Sequence, residues 1–312
     1  MSAEIIDIVG VQSRVAKQLV GREYELEMIL SAIAAGRDIV LEGPPGTGKT
    51  TLLRAIAQEW GIPLLYVEGN ADLTPAKLVG HHNPARVLKE DYQPDNFVPG
   101  PLLEAMRTGG FLYMEELNRA PDDTLNTLLA ALAERRIAVP RVGLIEAAPT
   151  FRVIASMNPF DNVGTTRLST SIHDRLCRLS IDYQDEQAEV GIAELRTTGA
   201  HLGDLLVTDA VAVTRATRTH PDIRQGSSVR GAIDTVLVAN QLALLRGVSE
   251  AADSRDRLDP KSPYPRLVFD AMVVALSGRI HLDEAADTTP ELVLREIWED
   301  RFVLQPAAAV PG

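Results

Sequence analysis

Apolar and polar positions alternate along the chain in two distinct periods. Leu26, Ile29, Leu30 and Ile33 recur at helical spacing after Val20-Gly21-Arg22-Glu23, and Gly36 follows as a stop. Ile39-Val40-Leu41 is a short continuous apolar run and predicts a strand. After a Gly-rich stretch, Leu52, Leu53, Ile56 and Trp60 line one side of a second helix that Gly61 closes. Pro63 to Val67 predicts the next strand, so strand, helix and strand form one expected βαβ unit. Phe111 to Met114, Phe151 to Ala155 and Leu176 to Ile181 predict three more strands. A helix carrying Leu125, Leu128, Leu129 and Leu132 falls between the first two of these. Strands alternating with helices imply a parallel sheet covered on both faces.

Beyond residue 184 the strand signals stop. Asp185 to about Arg246 is helical in pattern, 251–265 reads as a loop, and Leu267–Leu276 and Glu291–Trp298 predict two more helices. The expected organisation is a lead-in at 1–20, an α/β domain at 21–184, a smaller all-helical domain with C-terminal helices at 185–305, and a disordered tail at 306–312.

Composition agrees with a soluble helix-rich α/β protein: 312 residues, 45% hydrophobic, aromatics only 4%. The net charge of -12 argues against a protein that coats nucleic acid, and no Lys/Arg cluster offsets it. The single cysteine, Cys177, excludes an internal disulfide and is expected as a small core filler. No stretch of 18 apolar residues and no basic leader are present, so no membrane contact and a cytoplasmic setting are expected.

The candidate chemistry lies between the first strand and the second helix. Gly43-Pro44-Pro45-Gly46-Thr47-Gly48-Lys49-Thr50 fits the phosphate-loop pattern in full, with Thr51 next, a strand before it and a helix after it. Its glycines let backbone N–H groups turn toward phosphates, which a Cβ would obstruct, and the helix N-terminus favours the anion. Lys49 is expected on the β- and γ-phosphates of ATP, and the Thr50 hydroxyl on Mg²⁺. Phe111-Leu112-Tyr113-Met114 ends in Glu115-Glu116. In a parallel sheet the carboxyl end of such a strand faces the nucleotide crevice. Glu115 is the expected Mg²⁺ ligand and Glu116 the group that orients and deprotonates water. His81-His82-Asn83 has no further His or Cys at ligand spacing, so a loop is expected there rather than a metal site.

Further motifs resemble one family. Glu115-Glu116-Leu117-Asn118-Arg119-Ala120-Pro121 and Pro99-Gly100-Pro101-Leu102-Leu103-Glu104-Ala105 are similar to the acidic strand and its run-up in MoxR-type AAA+ ATPases. Val153-Ile154-Ala155-Ser156-Met157-Asn158-Pro159 resembles that family's sensor-1 strand, and Ser228-Val229-Arg230 its sensor-2 motif. The resemblance spans 20–245. It implies a P-loop AAA+ core with a parallel sheet flanked by helices, then a helical lid.

The resemblance also assigns roles. Asn158 would touch the γ-phosphate or the attacking water, and Arg230 would sense the phosphates from the lid. Arg175, in the segment 168–176, would be the arginine completing a neighbour's site, with Arg167 and Arg119 as rivals. Three positions depart from the family pattern: Glu115 replaces Asp, Val229 replaces Pro, and Leu176 replaces an aromatic. The implied assembly is a homo-oligomeric ring of six. Its implied partners are a von Willebrand factor A domain protein and a client enzyme complex to be remodelled or matured. The residues by themselves leave a nucleotide-gated scaffold and a nucleic-acid motor as alternatives, and do not choose between ATP and GTP. The same resemblance implies that segments 73–98 and 136–149 are insertions that contact a substrate or a partner.

Overall fold

The computed structural model describes residues 7–159, 168–198, 202–248 and 262–304. The chain divides into two compact units, 1–182 and 183–312, each with its own core.

The first unit begins α1 (Ile8–Ala16), α2 (Glu23–Ala34), β1 (Asp38–Glu42), α3 (Lys49–Trp60), β2 (Leu64–Glu68). It continues α4 (Pro75–Val79), β3 (Gly80–His82), α5 (Pro84–Glu90), β4 (Phe97–Pro99), α6 (Pro101–Thr108), β5 (Phe111–Glu115). It ends α7 (Asp122–Glu134), β6 (Arg136–Val139), β7 (Gly143–Glu146), β8 (Arg152–Met157), α8 (Thr170–His173), β9 (Leu176–Ser180). Five strands form a parallel sheet in the order β2-β5-β8-β1-β9.

Period-two alternation sends successive side chains of each strand to opposite layers. Ile39, Leu41, Phe111, Tyr113 and Ile154 pack with Leu26, Ile29, Leu52 and Ile56 of α2 and α3. Val40, Leu112, Met114, Val153 and Ala155 pack on the other face with Leu102, Met106, Leu125 and Leu128 of α6 and α7. Burial on both faces is why the strands read as continuous apolar runs.

Four expectations change. The strand–helix–strand segment at 39–67 is not one βαβ unit of neighbouring strands, because β8 and β5 lie between β1 and β2. The residues before 20 are not merely a lead-in: in α1, Val11 and Val15 are buried in the sheet's core and Arg14 pairs with Glu59 of α3 at 2.9 Å. Cys177 is exposed rather than a core filler, because β9 is an edge strand that buries chiefly Leu176. His81 and His82 belong to a strand, β3, paired antiparallel with β4. There His82 packs edge-on against Tyr92 and Phe97. The later insertion folds as the β6–β7 hairpin.

The second unit comprises α9 (Glu186–Arg196), α10 (Gly203–Ala216), β10 (Ile223–Gln225), α11 (Val229–Arg246), α12 (Pro263–Leu276), β11 (His281–Leu282) and α13 (Pro290–Glu299). Its core joins Leu206, Val211, Val236, Ala239, Leu267, Met272 and Leu276. Buried Asp209 accepts from the Tyr264 hydroxyl at 2.9 Å and pairs with Arg301 at 3.2 Å, so its charge is matched. The expected helical second domain therefore forms, with one addition: β10 and β11 make a small antiparallel pair. Strands of two or three residues are too short to leave a periodic signal. The expected tail at 306–312 and most of the expected loop at 251–265 lie outside the described residues.

Candidate nucleotide site

The loop from Gly43 to Gly48 leaves the carboxyl end of β1 and enters α3. Gly46 and Gly48 take left-handed backbone angles, φ 76° and 86°, and Gly48 is the residue at which α3 begins. A Cβ on Gly48 would meet nothing within 4 Å, so glycine is needed there for conformation rather than space. Gly43 differs: a Cβ there would lie 1.9 Å from the Ile181 carbonyl oxygen. Its requirement is close packing after β9, not room for phosphate as the sequence pattern implies.

Lys49 is buried, and its Nζ donates to the Gly43 carbonyl at 3.0 Å, the Pro44 carbonyl at 2.7 Å and the Thr47 Oγ1 at 3.2 Å. The ammonium is thereby held inside the concavity of the loop. Pro45 and Thr51 are exposed at its rim.

Across the crevice, β5 delivers Glu115. Its Oε1 accepts from the Thr50 hydroxyl at 3.0 Å. Two hard oxygen donors thus meet at the mouth of the phosphate loop, a set that suits Mg²⁺. The metal reading fits the residues present.

Three hydroxyls that sequence reasoning missed complete this cluster. Tyr113 OH lies 3.1 Å from both Thr50 Oγ1 and Ser156 Oγ, and Tyr66 OH donates to Glu115 Oε2 at 2.5 Å. Burial raises the Tyr113 phenol above its ordinary value. Burial, then the Glu115 carboxylate beside it, raises Tyr66. Both therefore remain protonated donors at neutral pH. The alternation of β5 could have revealed Tyr113, since residues two apart share a strand face with Glu115. Tyr66 comes from a different strand, and no local signal marks it.

Tyr66 occupies one Glu115 oxygen and leaves the other toward Thr50. Tyr66→Phe is therefore expected to weaken divalent-metal binding about tenfold. The measurement is Mn²⁺ titration by electron paramagnetic resonance with ADP present. Equal Mn²⁺ affinity in both proteins would refute the brace.

Glu116 follows in a left-handed conformation, φ 53° and ψ 47°, unusual for a non-glycine residue. Such an angle costs about 1–3 kcal/mol and persists only when its surroundings impose it. Gly69 contributes: its amide donates to the Glu115 carbonyl at 2.7 Å, and a Cβ on it would lie 2.2 Å from the Glu116 carbonyl oxygen. The bend turns the Glu116 side chain out of the strand, where it pairs with Arg119 at 3.2 Å. Asn158 lies one residue beyond β8, the neighbour of β5, and its carbonyl accepts from Asn118 at 3.4 Å.

Not every expected residue joins this cluster. Arg175 is exposed, its Nη1 donating to the Ser171 carbonyl at 2.8 Å. The register Asp38↔Leu176 puts it at the amino end of β9, while the phosphate loop leaves the opposite end of β1. Five residues of strand rise separate the two ends, roughly 16 Å. Arg167 lies outside the described residues. Arg230 is exposed in the first turn of α11, in the second unit.

A five-stranded parallel sheet with a phosphate loop after β1, and a strand ending in paired carboxylates one strand removed from it, defines a AAA+ P-loop ATPase. The comparisons agree: residues 38–176 match the AAA domain of the dynein-related subfamily. The chain is similar to AAA+ ATPases in sequence as well as in fold. It is 29% identical over 261 residues to the gas vesicle ATPase GvpN of Ancylobacter aquaticus, covering 78% of this chain and 69% of the relative. It is 30% identical over 199 residues to GvpN of Haloferax mediterranei, covering 59% of this chain and 56% of the relative. The chain thus spans little more than half of some relatives' length. Among solved structures, the RuvB Holliday junction branch migration motor of Thermotoga maritima shares the fold. Its TM-score is 0.53 at 15% identity, covering 85% of this chain and 72% of that one. Among the described residues no helix is long and apolar enough to cross a membrane.

Proposed function

We propose that this chain hydrolyses Mg·ATP at the interfaces of a head-to-tail ring and uses turnover to remodel or mature a client protein complex. The ring has six copies, and a von Willebrand factor A domain protein is the partner; both follow the family resemblance. Within one subunit, Lys49 and the loop amides bind the phosphates. Thr50 and Glu115 would hold Mg²⁺, which when bound neutralises phosphate charge. Glu116 takes the proton of the attacking water on its carboxylate, the Asn158 amide orients that water, and Arg230 reads the phosphates from the lid.

One observation carries the ring. Arg175 is exposed at the sheet edge opposite its own phosphate loop, out of reach of its own nucleotide and available to another subunit's. Head-to-tail contacts repeat and close when the rotation allows, which gives every site an arginine in trans. The acidic net charge of -12 favours a protein client over nucleic acid.

The test is the mass of the protein in solution with and without ATP. Closed oligomers are expected to accumulate with ATP. A strict monomer under both conditions would leave Arg175 with no site to complete, and the ring would be abandoned.

A further inference from the structure

Arg22 stands at the N-terminus of α2 and is only 7% exposed. Its Nη2 donates to two backbone carbonyls, Thr47 at 2.9 Å and Asp182 at 2.7 Å, while Nη1 pairs with Glu25. A buried guanidinium is tolerated only when its donors are matched, and here the carboxylate and two carbonyls match them. The planar fork suits this task in a way that an ammonium does not.

The consequence follows from the peptide unit. The Thr47 carbonyl and the Gly48 N–H belong to one planar trans group and point in opposite directions. With the carbonyl drawn onto Arg22, the Gly48 N–H faces away from Arg22. Amides of such loops are the donors to phosphate. Little else fixes this peptide from the Gly48 side: its Cα faces open space, and at φ 86° glycine has wide conformational freedom.

We propose that Arg22 is a positioning residue for the phosphate site, holding the Thr47–Gly48 peptide so that the Gly48 N–H donates to the nucleotide. This rests on the loop being an ATP site. The same guanidinium fixes the carbonyl of Asp182, the last residue of the first unit, so the loop and the chain's exit from that unit share one anchor.

The test uses the full chain with ADP, by calorimetry and by the amide resonance of Gly48. Arg22→Met is expected to bind ADP about tenfold more weakly, as loss of a charge-assisted brace implies. The Gly48 shift on adding ADP is expected to shrink with it, whereas a merely structural arginine would leave that shift intact. Arg22→Lys keeps the charge without the fork and is expected to fall between the two; it also serves if Arg22→Met does not fold. A folded variant with wild-type ADP affinity and a wild-type Gly48 shift would overturn the proposal. So would Arg22→Lys at full wild-type affinity. Failure of the wild-type protein to bind ADP would instead overturn the nucleotide reading itself.

Discussion

Glu116→Gln is expected to slow ATP turnover by about 10²–10⁴-fold, the range seen when a positioned general base is removed. Nucleotide binding should be unchanged. Glutamine has the same size and meets the same backbone angle, φ 53°, but cannot accept the proton of water. The phosphate loop keeps its own bracing in the variant, since Lys49 is held by Gly43, Pro44 and Thr47. Steady-state phosphate release together with ADP titration separates the two effects. Undiminished phosphate release from the variant would remove Glu116 from the chemistry.

Arg175→Ala should be as severe, since an arginine supplied to the transferring phosphoryl group is worth about 10³–10⁵ in rate. Its fold should be intact, because the side chain is exposed and donates to the carbonyl of Ser171, within its own helical turn. The informative experiment is co-expression of Arg175→Ala with Glu116→Gln. Each protein alone is expected to turn over slowly. In a mixed ring with head-to-tail contacts, about a quarter of interfaces combine an intact Glu116 with an intact Arg175 from the next subunit. Phosphate release should therefore return to about that fraction of wild type. No recovery in rings shown to be mixed would mean that Arg175 does not act in trans. Arg119 would be a poor replacement in that event, as it already pairs with Glu116 of its own chain.

The phosphate loop was legible because its chemistry is local. Lys49 and Thr50 sit at fixed offsets from the loop glycines, and the strand and helix on either side carry their own periodicity. Glu115 and Glu116 were legible for a related reason, being charges that interrupt a buried apolar run. By themselves, those local patterns determined the five strand segments of the central sheet, the alternation with helices, and the residues of the candidate phosphate loop.

What only the tertiary structure decided is which distant segments become neighbours. Strand order β2-β5-β8-β1-β9 is set by packing of both sheet faces, and the local pattern that marks β1 and β2 as one strand–helix–strand segment carries no information on the two strands that lie between them. Tyr66 reaches Glu115 because β2 pairs with β5, and Ser156 reaches Tyr113 because β8 does. Arg22 reaches Thr47 and Asp182 across 25 and 160 positions of chain. Gly43 is needed for the Ile181 carbonyl, a contact no pattern within the loop encodes. Hydrogen bonds and close packing depend on spatial proximity, and proximity between remote segments is a property of the folded sheet, not of the local periodicity that identifies its strands.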